Sequence, residues 1–200
     1  MTRYLRPPPR YQFILASQSP RRKQLLDDVG IFSDNIIAAD IDETPERNEL
    51  PATYVLRMAR EKARAVSEQH GDKFILSADT AVVCGRRILP KAETIEEASH
   101  CLDLLSGRSH RVYGGICLYA PDGEYRAKLS VSRAKFKQLS SADKRAYLQS
   151  REWQGKAGGY AIQGRAGLYI RQVTGSYSNI VGLDIHKVAG LLLSRGFDYV

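Results

Sequence analysis

The stretch Leu15-Ala16-Ser17-Gln18-Ser19-Pro20-Arg21-Arg22-Lys23-Gln24-Leu25-Leu26 decides how the chain begins to fold. It follows Tyr11–Leu15, an apolar run typical of a buried strand. Beyond Pro20, apolar residues recur at helical spacing up to Gly30, a residue type that commonly ends a helix. Ser19 can cap this helix, and proline fits its first position because no backbone N–H is needed there. The stretch therefore predicts a strand, a tight turn and a helix.

A strand-to-helix turn of this kind concentrates positive potential. Its backbone N–H groups and the helix dipole both point toward the turn. Ser17 and Ser19 add hydroxyl groups, and Arg21 and Arg22 add guanidinium groups, which are good donors to phosphate oxygens. A capped surface helix with solvated arginines would have the same local sequence. A phosphate-binding turn and a plain surface helix are therefore both open interpretations.

Length and composition limit the class of protein. Two hundred residues with 43% hydrophobic content can bury one sizeable core. The basic, proline-rich residues 1–10 predict a flexible arm, followed by a single domain with two lobes over residues 11–200. No apolar run approaches the ~20 residues that span a bilayer, and no secretory signal is recognisable, so we expect a cytoplasmic protein without a membrane partner. The net charge of +8 suits an anionic partner, either a nucleotide or a nucleic acid.

The three cysteines carry a separate prediction about redox chemistry. Cys84, Cys101 and Cys117 are odd in number, widely spaced and free of any C-x-x-C pattern. Such spacing predicts reduced, mostly buried thiols and argues against a disulfide framework or a zinc site.

Two charged side chains stand out after the first helix. Glu43 belongs to the carboxylate-rich segment 40–45, which is either a solvated loop or a source of oxygen ligands for a hard divalent cation. Lys62 falls on the apolar face of a helix predicted from Pro51 to about Gln69. It can snorkel to water from there or reach into a phosphate pocket.

Asp79 and Thr80 follow the buried strand predicted over residues 74–78. Chemistry in open α/β sheets tends to lie at the carboxyl ends of strands, although a turn aspartate would fit the same sequence. A buried carboxylate is costly unless a charge pairs with it. Lys91, which follows the Gly85-Arg86 turn, is a natural partner for Asp79, and a solvated turn lysine would look the same.

The second half of the chain alternates helices and long strands. It predicts a helix opening at Thr94, two antiparallel strands joined by a turn at 121–123, a helix over Ser140–Gln149 and a final amphipathic helix that ends near Gly196. His186 is expected on the surface of that last helix. Between the last two helices, the glycine-rich segment 155–167 carries Gln163, an amide that can read a base edge.

Taken in order, these pieces resemble the Maf family of nucleoside triphosphate pyrophosphatases. The matching residues run from 15 to about 185: Leu15-Ala16-Ser17, Ser19-Pro20-Arg21-Arg22, Asp42-Glu43, Arg60-Glu61-Lys62-Ala63, Ala78-Asp79-Thr80, Lys91, Leu105-Ser106-Gly107-Arg108 with His110, Gly159-Tyr160-Ala161-Ile162-Gln163-Gly164, and Gly175-Ser176-Tyr177-Ser178-Asn179 with Gly182-Leu183. No single piece is specific, but the ordered set is. The chain departs from the family at Pro90 and Ala92 around Lys91, at Gly114 and in its extra tail, which indicates a divergent subgroup.

The resemblance implies a fold and a reaction. The fold is α/β, an elongated mixed β-sheet with flanking helices and two lobes around a central cleft, like the inosine triphosphate pyrophosphatases. The reaction is hydrolysis of a nucleoside triphosphate to the monophosphate and pyrophosphate with a divalent metal, Mg or Mn. The resemblance also allows a homodimer.

The resemblance further implies roles for individual residues. Asp79 corresponds to the proton acceptor, and Arg21, Thr80 and Gln163 correspond to the residues associated with substrate choice. Their combination resembles the dTTP/UTP branch. Glu43, with Asp79, would hold the metal. The phosphates would be bound by the following residues: Ser17, Ser19, Arg22, Lys62 and Lys91.

Two other functions are alternatives to dTTP/UTP hydrolysis. One is a non-catalytic nucleotide- or nucleic-acid-binding regulator of cell division, suggested by the basic charge. The other is a pyrophosphatase for purines such as 7-methyl-GTP or ITP. The chain has no helix-turn-helix, zinc finger or aromatic RNA-binding signature, so we expect no stable nucleic-acid partner.

Overall fold

A computed structural model describes residues 4–200 of the chain. The chain divides into two compact units. The first unit comprises Met1–Asp79, Gly114–Ser130 and Gly182–Val200, and the second comprises Thr80–Tyr113 and Val131–Val181.

The elements alternate between strands and helices, as an α/β protein requires. The strands are β1 (Leu5–Arg6), β2 (Phe13–Ala16), β3 (Asn35–Ile36), β4 (Phe74–Cys84), β5 (Arg87–Leu89), β6 (Lys91–Ala92), β7 (Ser109–Tyr119), β8 (Tyr125–Phe136), β9 (Lys156–Ala157), β10 (Ile170–Thr174) and β11 (Asp198–Tyr199). The helices are α1 (Pro20–Asp27), α2 (Pro51–His70), α3 (Ile95–Leu105), α4 (Ser141–Ser150), α5 (Tyr177–Val181) and α6 (Ile185–Leu193), with a 3₁₀ helix at Arg165–Tyr169. The main sheet has the order β10-β8-β7-β4-β2-β3, with β5 paired to β4. The fold is thus mixed α/β, with a central sheet flanked by helices.

The first unit packs helices on both faces of its part of the sheet. Strand β2 pairs in parallel with β3 and with β4, and its register against β4 runs from Phe13↔Phe74 to Ala16↔Ser77. Because successive side chains of a strand point to opposite faces, two separate clusters form. One includes Leu15 and Leu76 together with residues of α1 and α6, and the other includes Ile14 and Ile75 with residues of α2.

Strand β4 is longer than the sequence predicts. Its apolar residues continue past the expected end at Ala78 to Cys84, and β5 then returns antiparallel to it with Cys84 opposite Arg87. Asp79 therefore lies in the middle of a continuous strand, and its predicted position at a strand end is wrong. The parallel pairing with β2 does end at Ser77, so Asp79 follows the last parallel pair by two residues.

The second unit contains the helices with the clearest capping signals. Thr94 accepts a hydrogen bond from the backbone N–H of Glu97, whose side chain caps Thr94 in return. Ser140 and Asp143 form the same reciprocal box at the start of α4. The antiparallel pairing of β8 and β10 runs from Phe136↔Ile170 to Arg133↔Thr174, with an irregularity between Ile170 and Gln172.

The proline-rich start of the chain differs from the flexible arm that the sequence predicts over residues 1–10. Leu5 and Arg6 pair antiparallel with Tyr199 and Asp198, and Leu5 is only 2% exposed within the first core cluster. Burial of this leucine and the backbone pairing explain why the segment is held. The first three residues of the predicted arm lie outside the described residues.

Several smaller predictions can also be compared with the structure. Helix α2 runs from Pro51 to His70, close to its predicted bounds, and His186 is exposed on α6 as expected. All three cysteines are free and buried, which confirms the thiol prediction. Strand β3 is shorter than expected, at two residues. Within residues 4–200, no helix is long and apolar enough to cross a membrane.

Candidate active site

A buried lysine bridges two carboxylates in the first unit. Lys62 Nζ lies 2.7 Å from Asp79 Oδ1 and 2.8 Å from Glu43 Oε1. The side chains of Lys62 and Asp79 are 9% and 6% exposed, and that of Glu43 is 34% exposed. Buried charges of this kind are stable only when paired, and removal of one partner leaves the other uncompensated. We call these three residues the ion cluster.

The periodicity of two elements explains why the ion cluster forms. On β4, alternation places Ile75, Ser77 and Asp79 on the face that packs against α2. On α2, Lys62 lies in the buried stripe that also contains Ala59 and Ala63. The hydroxyl of Ser77 donates to the Ala59 carbonyl at 2.5 Å and ties the strand to the helix one turn before the lysine.

The ion cluster decides between the interpretations that the sequence leaves open. Lys62 does not snorkel to solvent, because its ammonium group is held between the two carboxylates. Asp79 is not a turn aspartate, and in the first unit its partner is Lys62. The second oxygen of Asp79, Oδ2, makes no hydrogen bond to any residue in the described range, 4–200.

The turn that opens the chain forms a second polar group in the same unit. Ser17 is 6% exposed, and its Oγ accepts hydrogen bonds from the Ser19 N–H at 3.1 Å and from Arg22 Nη1 at 3.2 Å. Arg22 Nε donates to the Gly182 carbonyl at 3.0 Å. Burial lowers the pKa of the Arg22 guanidinium, and the charges of Asp79 and Glu43 oppose that shift. Arg22 therefore lies in the electrostatic field of the ion cluster.

The start of α1 differs in one detail from the prediction. Ser19 occupies the capping position and Pro20 follows it, but the Ser19 side chain makes no capping hydrogen bond. The backbone N–H of Ser19 instead donates a hydrogen bond to Ser17 Oγ. Arg21, one residue into the helix, is half-buried, and this burial lowers the pKa of its guanidinium.

The loop that carries Glu43 is anchored by two residues of α2 that no sequence motif marks. Tyr54 Oη donates to the Glu43 carbonyl at 3.0 Å, and Arg57 Nη2 donates to the Thr44 carbonyl at 3.2 Å. Burial, followed by the charges of Asp79 and Glu43, raises the pKa of Tyr54. The signal for Tyr54 is its helical spacing: it lies two turns before Lys62 on the same buried face.

Three of the predicted substrate residues belong to the second unit. Thr80 follows Asp79 directly on β4 and is partly buried. Lys91 is exposed on β6, where its backbone pairs with Ala157. Gln163 is exposed in the segment just before the 3₁₀ helix.

Buried aromatic residues hold the segment that leads to Gln163. Tyr147 Oη accepts a hydrogen bond from the Ala161 N–H at 3.0 Å, and Tyr160 Oη lies 2.6 Å from His110 Nε2. Burial lowers the pKa of His110 to about 4 and raises the pKa of Tyr160 above its ordinary value. His110 Nδ1 has no hydrogen-bond partner in the described part of the chain. In the sequence, His110 stands out only as part of the family resemblance.

The ion cluster contains the two predicted metal ligands, Glu43 and Asp79. Both carboxylates contact the Lys62 ammonium group, at 2.8 Å and 2.7 Å, and carboxylate oxygens are also the ligands that hard divalent cations prefer. Among the described residues, no group of three or more His, Cys, Asp or Glu side chains is arranged so that it could hold a metal ion. The two carboxylates are donors of the right type for such a cation, and the assignment of a metal to Glu43 and Asp79 stays a prediction.

Comparison with known proteins places this site in a family. The Maf-like protein family matches the chain over residues 12–195. The chain therefore belongs to the Maf-like proteins.

Curated relatives match over nearly the whole chain. The dTTP/UTP pyrophosphatase of Paramagnetospirillum magneticum is 53% identical over 184 residues, which cover 92% of this chain and 97% of the relative. The dTTP/UTP pyrophosphatase of Bradyrhizobium diazoefficiens is 53% identical over 194 residues, with 94% and 93% covered. The dTTP/UTP pyrophosphatase of Chelativorans sp. is 51% identical over 192 residues, with 93% and 92% covered.

Solved structures also resemble the chain, at low sequence identity. A HAM1 protein from Coxiella burnetii aligns over 92% of this chain and 99% of its own, with 15% identity and a TM-score of 0.49. The Ham1 protein of Staphylococcus aureus aligns over 62% of this chain and 71% of its own, with 18% identity and a TM-score of 0.45.

Proposed function

We propose that this protein is a nucleoside triphosphate pyrophosphatase that hydrolyses dTTP and UTP to the monophosphate and pyrophosphate. The relatives that carry this name are 50–53% identical to the chain over more than nine tenths of its length. The observation that carries the proposal is the ion cluster, which holds a general-base candidate, Asp79, in an electrostatic field that also acts on Arg22.

Asp79 is the proposed proton acceptor. Lys62 holds one of its oxygens at 2.7 Å, and the other oxygen, Oδ2, is available to a water molecule. The water oxygen attacks the α-phosphorus and its proton passes to Asp79. The bond between the α-phosphorus and the bridging oxygen breaks, and the electron pair leaves with pyrophosphate. Lys62 fixes the carboxylate in one orientation for this transfer.

The phosphates are bound, in this proposal, by Ser17, Ser19, Arg22, Lys62 and Lys91. Ser17 and Arg22 already hold each other at 3.2 Å, so the guanidinium is oriented before substrate binds. Lys62 offsets the charges of Glu43 and Asp79, which lowers the repulsion between these carboxylates and a triphosphate. A divalent cation on Glu43 and Asp79 would supply further neutralisation of phosphate charge.

Base choice is assigned to Arg21, Thr80 and Gln163. A pyrimidine such as uracil presents two carbonyl acceptors and one N–H donor, and the Gln163 amide can satisfy one of each. A site that depends on hydrogen bonds discriminates against bases that lack the matching groups. We expect Gln163→Ala to raise KM for UTP and dTTP with a smaller change in kcat, whereas Gln149→Ala, an exposed helical control, changes neither.

The test is product analysis with Mg²⁺ or Mn²⁺ across dTTP, UTP, CTP, ITP and 7-methyl-GTP. We expect pyrophosphate with dTMP or UMP, and a loss of about 10²–10⁴ in turnover for Asp79→Asn. Asp72→Asn is the matched control, because Asp72 is exposed in the same unit.

Each other outcome would change a defined part of the proposal. Turnover confined to ITP or 7-methyl-GTP would retain the reaction and reject the pyrimidine assignment. Near-normal turnover by folded Asp79→Asn would reject the base assignment. Absence of any hydrolysis by a folded sample, with salt-sensitive binding of DNA, would favour a non-catalytic regulator.

A further inference from the structure

A second basic site lies in the second unit, in a cavity of about 600 Å³. One wall is the hairpin between β4 and β5, and the other is the segment between α3 and β7. Three exposed arginines line it, and the remaining lining residues include a thiol and a hydroxyl: Arg86, Arg87, Arg108, Cys84 and Ser109. None of the residues assigned to substrate or metal in the proposed function belongs to this lining.

The local fold fixes the positions of these arginines. Cys84 and Arg87 face each other across the hairpin, so Gly85 and Arg86 form a two-residue loop. Gly85 has a φ of +63°, as the first position of such a loop often requires. Cys84 Sγ donates to the Leu104 carbonyl at 3.3 Å and joins the hairpin to the end of α3. One wall of the cavity therefore has a paired backbone, and a hydrogen bond connects it to the other wall.

The guanidinium groups of this cavity lack the carboxylate partners that several other arginines of the protein have. Arg57, Arg126 and Arg195 each form ion pairs with carboxylates. Arg86, Arg87 and Arg108 form no ion pair with any described residue, and no acidic side chain lines the cavity. Arginine presents a planar fork that matches phosphate oxygens, so three unpaired forks around one cavity favour a ligand with several phosphate charges.

The charge of the whole unit supports the same ligand class. By sequence, the second unit has fourteen basic and six acidic residues, and the first has sixteen of each. The entire net charge of +8 therefore belongs to the unit that contains the cavity. No aromatic side chain lines the cavity, so it offers no surface on which a base could stack.

We propose that the cavity lined by Arg86, Arg87 and Arg108 binds a polyphosphate chain. The ligand is either free inorganic pyrophosphate or the phosphate tail of a nucleotide, because both present the same chain of charged phosphate oxygens. This site is additional to the one that the proposed function uses, and it does not depend on hydrolysis.

The test compares two triple variants with the intact chain. Arg86→Gln/Arg87→Gln/Arg108→Gln removes the cavity arginines. Arg111→Gln/Arg133→Gln/Arg171→Gln is the matched control, because it removes the same charge from positions of the same unit that are equally exposed and do not line the cavity. Inorganic pyrophosphate, tripolyphosphate and a non-hydrolysable UTP analogue are titrated at fixed ionic strength without added metal. Calorimetry measures Kd and stoichiometry, and backbone-amide NMR locates the bound anion.

We expect the intact chain and the control variant to bind pyrophosphate with shifts in the amide signals of Gly85, Arg86 and Ser109. The cavity variant should lose that binding by about tenfold or more for each arginine removed. If the UTP analogue moves the same amides, a nucleotide tail is a ligand, and if only the inorganic anions do, the ligand is free polyphosphate.

Three outcomes would overturn the proposal. These are absence of shifts at the cavity amides, equal weakening by both triple variants, and loss of turnover by the cavity variant in proportion to lost binding. The last result would place the arginines in the substrate site. A chain that binds pyrophosphate in the cavity but hydrolyses no nucleotide would support this inference while rejecting the proposed function.

Discussion

The two units differ in their net charge and in how their buried polar groups are paired. The first unit is balanced in charge by sequence and buries an ammonium group between two carboxylates. The second unit carries the entire net charge of +8 and stabilises its buried polar groups with neutral hydrogen bonds, such as His110 to Tyr160 and Asn179 to the Val112 carbonyl. A balanced, paired interior can hold charged groups ready for chemistry, whereas unpaired surface charge attracts anions.

The largest expected effect tests the ion cluster of the first unit. Lys62→Met should lower the free energy of unfolding by about 3–5 kcal/mol, because Asp79 would be left buried without a partner. If the proposed function holds, turnover should also fall by about 10²–10³. Urea unfolding measures the free energy of unfolding, and the rate of pyrophosphate formation measures turnover. Lys128→Met is the control, because Lys128 is exposed.

A double variant separates the two contributions of Lys62. Lys62→Met/Asp79→Asn removes both buried charges, so it should recover much of the lost stability while turnover stays low. A Lys62→Met protein as stable as the unaltered chain would contradict the view that this unit depends on internal charge pairing.

The second prediction concerns the neutral interior of the second unit and its dependence on pH. Burial lowers the pKa of His110 to about 4, whereas an unfolded histidine titrates near 6.5. Between these values the unfolded chain binds a proton that the folded chain does not. The contribution of neutral, buried His110 to the free energy of unfolding is therefore complete above about pH 6.5. It is lost as pH falls toward 4, and the total loss is about 3 kcal/mol.

His110→Gln isolates this contribution, because glutamine does not titrate. The free energy of unfolding, measured between pH 4.5 and 7.5, should fall less steeply with decreasing pH in the variant than in the unaltered chain. Parallel pH profiles would show that His110 is not the neutral buried group described here.

The third prediction contrasts one glycine from each unit. A Cβ on Gly115 would lie 2.0 Å from the Val55 carbonyl oxygen of α2, so Gly115→Ala must push strand and helix apart. We expect a loss of about 1–3 kcal/mol, the usual cost of overpacking. Gly85→Ala meets nothing within 4 Å and suffers only from its φ of +63°, at about 1 kcal/mol. Chemical denaturation of both variants checks the order, and the reverse order would contradict the close packing of β7 on α2.

The smallest expected effect compares two helix starts. Thr94→Ala removes a complete capping box in the second unit and should cost about 1 kcal/mol. Ser19→Ala removes a side chain that makes no capping bond in the first unit and should change stability by less than about 0.5 kcal/mol. Under the proposed function it should raise KM, and a stability loss equal to that of Thr94→Ala would indicate that Ser19 acts as a cap.

Local signals predicted much of the fold. Proline at the start and glycine at the end bounded α2, and capping residues marked α3 and α4. The length of strand β4 was harder to predict from the sequence. An aspartate in an apolar run is typical of a strand end when no charged partner is visible. The extended strand is possible because Lys62, seventeen residues earlier, pairs with that aspartate.

The candidate site likewise combines residues that the sequence identified with contacts that it did not. The residues proposed to bind phosphate and metal were recognisable from their order along the chain, but their partners in the structure were not. Tyr54 and Arg57 were missed because they act through backbone carbonyls of the Glu43 loop, which no sequence pattern marks. The arginines of the second-unit cavity were missed because 86–87 and 108 are brought to one cavity only by the hairpin and α3.

The sequence by itself determined most of the elements, the family and the candidate residues, because capping, periodicity and motif order are local properties of the chain. Only the tertiary structure decided that Lys62 lies between Glu43 and Asp79 and that Leu5 is part of the core. It also decided that Arg86, Arg87 and Arg108 of the second unit line one cavity. The physical reason is that charge pairing and burial depend on distances between residues remote in sequence, which are fixed only when helices pack on the sheet.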